Sequence, residues 1–196
     1  MAVDMFLKLD GVTGESKDKV HSKEIDVLVW SWGMTNDGSA QVGGGAGSGK
    51  VNVQDISITK FVDSSSPQLM LACCKGTHYA NAFLTVRKAG EKPLEYVKVK
   101  METVFISSVN TGASDNSDRL TENVILNFGK VSVDYTPQKD DGSGGTAIPF
   151  GWDIAANSRD HLRLGTGQIS GIGGCELRMD LFLNRAHSFW QAWRTH

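Results

Sequence analysis

Between Ile25 and Met34, large and small side chains alternate with period two, and this run constrains the fold more than any other. Leu28, Trp30, Trp32 and Met34 share one face, while Val27, Val29, Ser31 and Gly33 share the other. A strand gives successive side chains opposite faces, so the bulky set is expected in a core and the small set on an exposed surface. Val3 to Leu9 alternates in the same way. Val51, Val53, Ile56, Ile58 and Phe61 form a further run, with a change of phase at Gln54–Asp55 that reads as a bulge. Ala82–Val86, Tyr96–Val109 and Val124–Tyr135 add more strand pattern.

One helix interrupts these runs. Ser64-Ser65-Ser66-Pro67 supplies N-cap hydroxyls and a proline at the first helical position. Leu69, Met70, Cys73 and Cys74 make its apolar stripe, and Gly76 its stop. Many strands, one short helix, 22 Gly and 4 Pro favour an all-β barrel or sandwich. The 196 residues can bury a core without disulfides. Cys73, Cys74 and Cys175 have no paired spacing that would suggest a disulfide framework.

Charge and targeting signals narrow the function. The formal net charge is −2, which disfavours a general electrostatic grip on nucleic acid. No run approaches the ~18 apolar residues of a membrane-spanning helix. Asp4 and Lys8 break the N-terminal apolar stretch, so export by a cleaved signal peptide is not expected and synthesis in the cytoplasm is.

The chain changes character near residue 158. Residues 1–158 hold thirteen Lys and two Arg against nineteen carboxylates, a charge of −4. Residues 159–196 hold no Lys, five Arg and three carboxylates, a charge of +2. We therefore read 1–158 as the body and 159–196 as an extension. Two Gly-rich loops, Asp37–Gly49 and Lys139–Thr146, lie in the body; each is either a plain linker or a segment that orders against a neighbour.

Motifs for catalysis are weak. Gly44–Lys50 (GGAGSGK) has phosphate-loop spacing, but Val51 replaces the Mg²⁺-binding hydroxyl and a strand is expected where a helix should start. No two of His21, His78, His161, His187 and His196 have the spacing of a metal face. There is no G-x-S-x-G elbow. Asp115, Asp118 and Glu122 read as a solvated rim, and Ser64–Ser66 as caps. No catalytic, cofactor-binding or metal site is assigned.

Four stretches, in order, carry a family resemblance: Gly14–Gly33 (GESKDKVHSKEIDVLVWSWG), Lys50–Met70, Asp118–Gln138 and Phe150–Ser158 (FGWDIAANS). Together they resemble the hemolysin-coregulated protein (Hcp) family, the tube protein of bacterial type VI secretion. The resemblance implies a β-barrel of two sheets flanked by one short α-helix. It further implies homohexameric rings stacked into a hollow tube, tipped by a spike protein, driven by a contractile sheath and able to carry effector proteins in the lumen. It implies secretion by that machine without a signal peptide, and no catalytic residues or cofactor. On it, Ser31 and Gly33 are lumen-facing candidates. The segment Asp37, Gly38, Gly43, Gly44, Gly45, Gly47 and Gly49 is the candidate ring-contact loop.

Family members of this kind usually end soon after the stretch matching Phe150–Ser158, whereas this chain continues. Residues 159–176 read as a linker, glycine-rich from Gly165 to Gly174. Residues 177–194 read as an amphipathic helix with the stripe Met179, Phe182, Leu183, Ala186, Phe189, Trp190 and Trp193. Docking on a barrel, a poorly ordered extension, and contact with a membrane surface or cargo all stay open for it. Three functions compete for the chain: a structural tube subunit, a dedicated effector carrier whose extension alters cargo binding or assembly, and a nucleotide-dependent enzyme built on Gly44–Lys50.

Overall fold

A computed structural model describes residues 3–38, 48–90, 93–113 and 118–160. The strands are β1 (Val3–Leu9), β2 (Ile25–Asp26), β3 (Val29–Ser31), β4 (Met34–Gly38), β5 (Ser48–Val53) and β6 (Ile56–Phe61). Helix α1 (Ser66–Lys75) follows, then β7 (His78–Lys88), β8 (Leu94–Gly112), β9 (Thr121–Tyr135), β10 (Ile148–Asp153) and β11 (Ser158–Arg159). The expected class, all-β with one short helix, is the one observed. Of the extension, Arg159 and Asp160 are described and continue the body: Arg159 pairs with Trp152, and Asp160 N–H donates to Gly151 O (3.1 Å). Residues 161–196, with the stripe from Met179 to Trp193, lie outside the described residues.

The two sheets are unequal. Nine strands form one antiparallel sheet in the order β11-β10-β9-β8-β7-β1-β2, with β6 also on β9 and β3 on β6. The other sheet is the ribbon β4–β5. The large ladder does not close. Residues 25–31 span its gap: Val27 N–H bonds to Met5 O (2.9 Å), and Leu28 N–H to Thr59 O (2.8 Å). The chain thus leaves β1 and joins β6 within one step.

That change of partner corrects the face assignment. Ile25 and Val27 are buried, Leu28 and Val29 both point outward, and Trp30 and Trp32 pack on the core. Two consecutive outward residues break the period, because the run serves two ladders rather than one. The phase change at Gln54–Asp55 likewise marks the passage from the ribbon to the main sheet.

A second break divides the long strands β8 and β9. Met101 and Val104 are both buried, as are Phe128 and Val131. Register is kept across the break, Glu102 facing Lys130 and Val104 facing Phe128. Thr103 has φ 55°, a left-handed conformation that is unfavourable for a β-branched residue. The strand pair folds over at Thr103–Gly129, and its inner face continues on both sides of the fold. Leu7, Ile25, Ile58, Leu84, Met101 and Leu126 form that core at 0% exposure, each contributing about 1.5–3 kcal/mol of burial.

Helix α1 ends as expected, with Gly76 at φ 62°. Its buried face is Leu69 and Ala72 with part of Cys73, whereas Met70, Leu71 and Cys74 are exposed. The expected stripe is therefore displaced toward Ala72. Ser65 is the N-cap residue but makes no side-chain cap bond; its N–H and hydroxyl both donate to Asp63 Oδ1.

A buried ionic cluster occupies this end of the core. Lys60 faces inward in phase with Ile56 and Ile58, at 0% exposure, and Glu122 in phase with Val124 and Leu126, at 1%. They are direct cross-strand partners, with Nζ 2.7 Å from Oε1. Lys60 Nζ also lies 2.8 Å from Phe61 O and from Asp63 Oδ1. Ser66 Oγ donates to Glu122 Oε1 (2.7 Å) and accepts from Asp63 N–H (3.0 Å). Glu122 is thus no solvated rim residue. Burial raises the Asp63 carboxyl, but hydrogen bonds from Lys60 and Ser65 outweigh this and hold it below the usual carboxylate range.

Two outcomes follow from this cluster. Lys60→Met leaves Glu122 buried without its cation and should cost about 3–5 kcal/mol in urea unfolding; adding Glu122→Leu should recover most of that. A single variant losing under about 1 kcal/mol contradicts the cluster's role. Because the Asp63 value is depressed by folding, its contribution is present above about pH 4 and lost as pH falls below it. Asp63→Asn should therefore be less stable than the parent at pH 6, with the gap narrowing on acidification; a gap constant down to pH 3 would contradict the assignment.

Candidate functional surface

Folding over at Thr103–Gly129 gives the body two outward faces with different chemistry. On one, β3, β6, β9 and β8 align two cross-strand rows: Val29–Thr59–Asn123–Asn110 and Ser31–Ser57–Ile125–Ser108. Alternation with the buried Ile56, Ile58, Val124 and Leu126 turns these residues outward. Neither row holds a charge. The amides are held in place: Asn123 Nδ2 donates to Ser57 Oγ (2.8 Å) and to Ile58 O (3.2 Å). Asp55 borders the panel, and its carboxylate accepts from Asn127 Nδ2 (2.8 Å) and Ser107 Oγ (3.0 Å). Ser31 stands exposed on this panel. Val29, at 59% exposure, is a prominent apolar group there.

The other face carries the charges. Its rows run Lys8–Phe83–Lys100–Ser132 and Asn81–Glu102–Lys130–Asp153. Lys130 pairs with Asp153 at 2.9 Å, holding Asp153 below and Lys130 above their ordinary values. The Asp153 shift owes most to the Ala156 N–H. Part of this face is covered by residues 11–24. His21 stacks on Phe6 with ring centres 4.4 Å apart and sits between Glu24 and Glu95. Arg87 binds Asp4 and Asp18 and lies over Phe6. Its hydrogen bond holds the Asp18 carboxyl far below the usual range. Gly14 is required in this wrap, since a Cβ there would lie 2.4 Å from Glu24 O.

The Asp37–Gly49 segment, read from sequence as a loop, has strands at both ends. Asp37 and Gly38 belong to β4 and Gly49 to β5; Gly43, Gly44, Gly45 and Gly47 lie outside the described residues. The ribbon is amphipathic. Met34 faces Val53 and Asn36 faces Val51 on one side, while Thr35 faces Asn52 on the other. Among the described strands β4 and β5 pair only with each other, so each has an unpaired outer edge. An isolated two-stranded ribbon is marginally stable in water. Gly33 is at the ribbon's base rather than on the open panel: a Cβ there would come within 3.0 Å of Gln54 Oε1.

The catalytic alternatives find little support in this arrangement. Lys50 lies inside strand β5, so no helix N-terminus follows GGAGSGK to receive phosphate. Asp118 is exposed, and Asp115 is outside the described residues. Among the described residues no three His, Cys, Asp or Glu side chains group as a metal site. A cleft of about 390 Å³ at the end of β6 is lined by Glu15, Lys17, Asp26, Phe61, Asp63 and Arg119, among others. Two of its three carboxylates are engaged, Glu15 by Ser64 N–H and Asp63 by Lys60, while Asp26 is exposed; Arg119 lies 3.9 Å over the Phe61 ring.

Comparison with known proteins points the same way as the sequence stretches. Residues 6–135 match the family model described as "Type VI secretion system effector, Hcp". The chain is 58% identical over 159 residues to Protein hcp1 of Pseudomonas aeruginosa (strain PAO1), covering 80% of this chain and 98% of that one. It is similar to a solved type six secretion system protein (TM-score 0.77, 31% identity, 81% of this chain and 100% of that). It is also similar to Hcp1 from Salmonella typhimurium (TM-score 0.67, 34% identity, 82% and 100%).

Because the ribbon pairs with no other described strand, the body should fold without it. Joining Gly33 to Gln54 through a two-residue Asn-Gly turn removes Met34–Val53 whole, keeps the Gln54 N–H to Gly33 O bond, and should leave the urea-unfolding free energy within about 2 kcal/mol of the parent. A loss above about 3 kcal/mol would make the ribbon part of the core fold.

Proposed function

The chain belongs to the Hcp family of the type VI secretion system, and from that premise we propose that it is a structural subunit of the secretion tube. Six copies close into a ring, rings stack into a hollow tube, and the subunit is itself secreted by the machine. The spike protein at the tip, the contractile sheath outside and effector proteins in the lumen are its partners; it carries no catalytic site. The observation that supports this most is the division of the outer surface. A neutral panel of hydroxyls and amides, centred on Ser31 and Ser57, is suited to line a channel that passes proteins of either charge. The charged face is suited to the outside. The ribbon serves as the arm that reaches the next copy, where its unpaired edges and the apolar side at Met34 and Val51 find a partner.

Effector carriage is the second role, and Val29 favours it. An exposed apolar group beside small hydroxyls offers cargo a contact without fixing its charge. The extension 159–196 is an accessory to this ring. The Pseudomonas aeruginosa relative is matched along 98% of its length while a fifth of this chain remains unmatched.

In light scattering, full-length protein should weigh about 127 kDa, six times the 21.2 kDa chain. A chain ending at Ser158 should also be a hexamer. Monomers of both would overturn the reading; a hexamer of the short chain alone would make the extension a block to assembly. With Cys73, Cys74 and Cys175 changed to Ser, a Ser31→Cys thiol should react more slowly with a bulky polymer-linked maleimide in stacked rings than in dispersed chains, while Lys100→Cys should not. Equal slowing at both positions would contradict the inward placement of the Ser31 panel.

A further inference from the structure

We propose that Trp32 is the joint that sets the direction of the β4–β5 ribbon, and so acts as a positioning residue for assembly. This rests on the reading of the ribbon as the arm between copies. The ribbon is connected to the body through two crossings of the chain, at residues 32–33 and 54–55. One backbone bond ties them, Gln54 N–H to Gly33 O at 3.0 Å. Two crossings and one bond leave a ribbon free to swing about its base.

Trp32 removes that freedom from both sides. Its indole N–H donates to Gln54 O at 3.0 Å, bridging to the returning strand. Its ring packs on the body, 6.4 Å from Phe128 and 6.3 Å from Phe150 between ring centres. Phe128 is buried at 5% exposure, so one side chain links the core to the ribbon's base. Across the base, Val53 packs against the same core cluster. The geometry needs an aromatic with a donor at its edge: Phe keeps the packing and loses the bond, whereas Trp provides both. Burial explains a large apolar residue at this position but not the aimed N–H.

The test separates direction from folding. Nitroxides are placed on Asn52→Cys in the ribbon and Lys98→Cys on the body, with Cys73, Cys74 and Cys175 changed to Ser. Labelled full-length chains are diluted into unlabelled ones, and the spin–spin distance distribution is read by pulsed electron resonance. Trp32→Phe should broaden the distribution about twofold and raise the concentration for half-dissociation of rings about fivefold, the scale of one hydrogen bond. Equal widths in the parent and the Trp32→Phe chain overturn the joint. A broadened distribution with unchanged ring dissociation overturns its part in assembly. Rings that form as tightly after the ribbon is replaced by the Asn-Gly turn would instead refute the ribbon as arm, and the distance widths would still decide the joint.

Discussion

The contact between Lys60 and Glu122 fixes which side of the sheet is which. The two are direct partners across β6 and β9, both inward, in a cluster closed by Asp63 and Ser66. A slip of either strand by one residue would turn every side chain to the opposite face. It would put Lys60 or Glu122 outside and leave its partner buried alone, at a cost of several kcal/mol. An apolar pair would tolerate such a slip better. The ion pair thus holds β6, β9 and α1 in one register. The outward alternates of the same strands, Ser57 and Thr59 on β6, Asn123 and Ile125 on β9, are placed by that choice.

From this register the surface follows. The strand pair β8–β9 folds over at Thr103–Gly129, so its two halves present different outward sets. One set is neutral and hydrogen-bonded within itself; the other is charged and partly covered by residues 11–24. A tube subunit needs both, a bland inner wall and a specific exterior. It also needs contacts that run from one copy to the next without being self-complementary. On the proposed reading, a ribbon with free edges, held at its base by Trp32, meets that requirement.

Much of the fold was legible in the residues. Period two marked the long strands, and Pro67 and Gly76 bracketed the helix. The cluster is not evident from composition or motif, although its signal is present: Lys60 continues the phase of Ile56 and Ile58, and Glu122 that of Val124 and Leu126. Opposite charges, each in register with an apolar stripe, mark a buried pair, whereas the polar neighbours of Glu122 point to a rim. The faces at Val27 and Leu28 were inverted because the strand changes partner there, which is a tertiary event invisible to local periodicity. The ribbon passed for a loop because glycine hides a short amphipathic alternation. β10 was hidden by Pro149 and Gly151, which weaken its strand pattern although Pro is tolerated on an edge. Alternation and family resemblance put Ser31 on an exposed face, and Ser31 is exposed; the channel it would line requires other copies.

The most direct measurement is electron cryo-microscopy of the purified full-length chain at high concentration. Six-fold rings with a central opening are expected, the β3–β6–β9 panel lining it and the β4–β5 ribbon touching a neighbouring copy. Single copies at every concentration, or rings whose channel is lined by Lys8, Phe83 and Lys100, would contradict that arrangement.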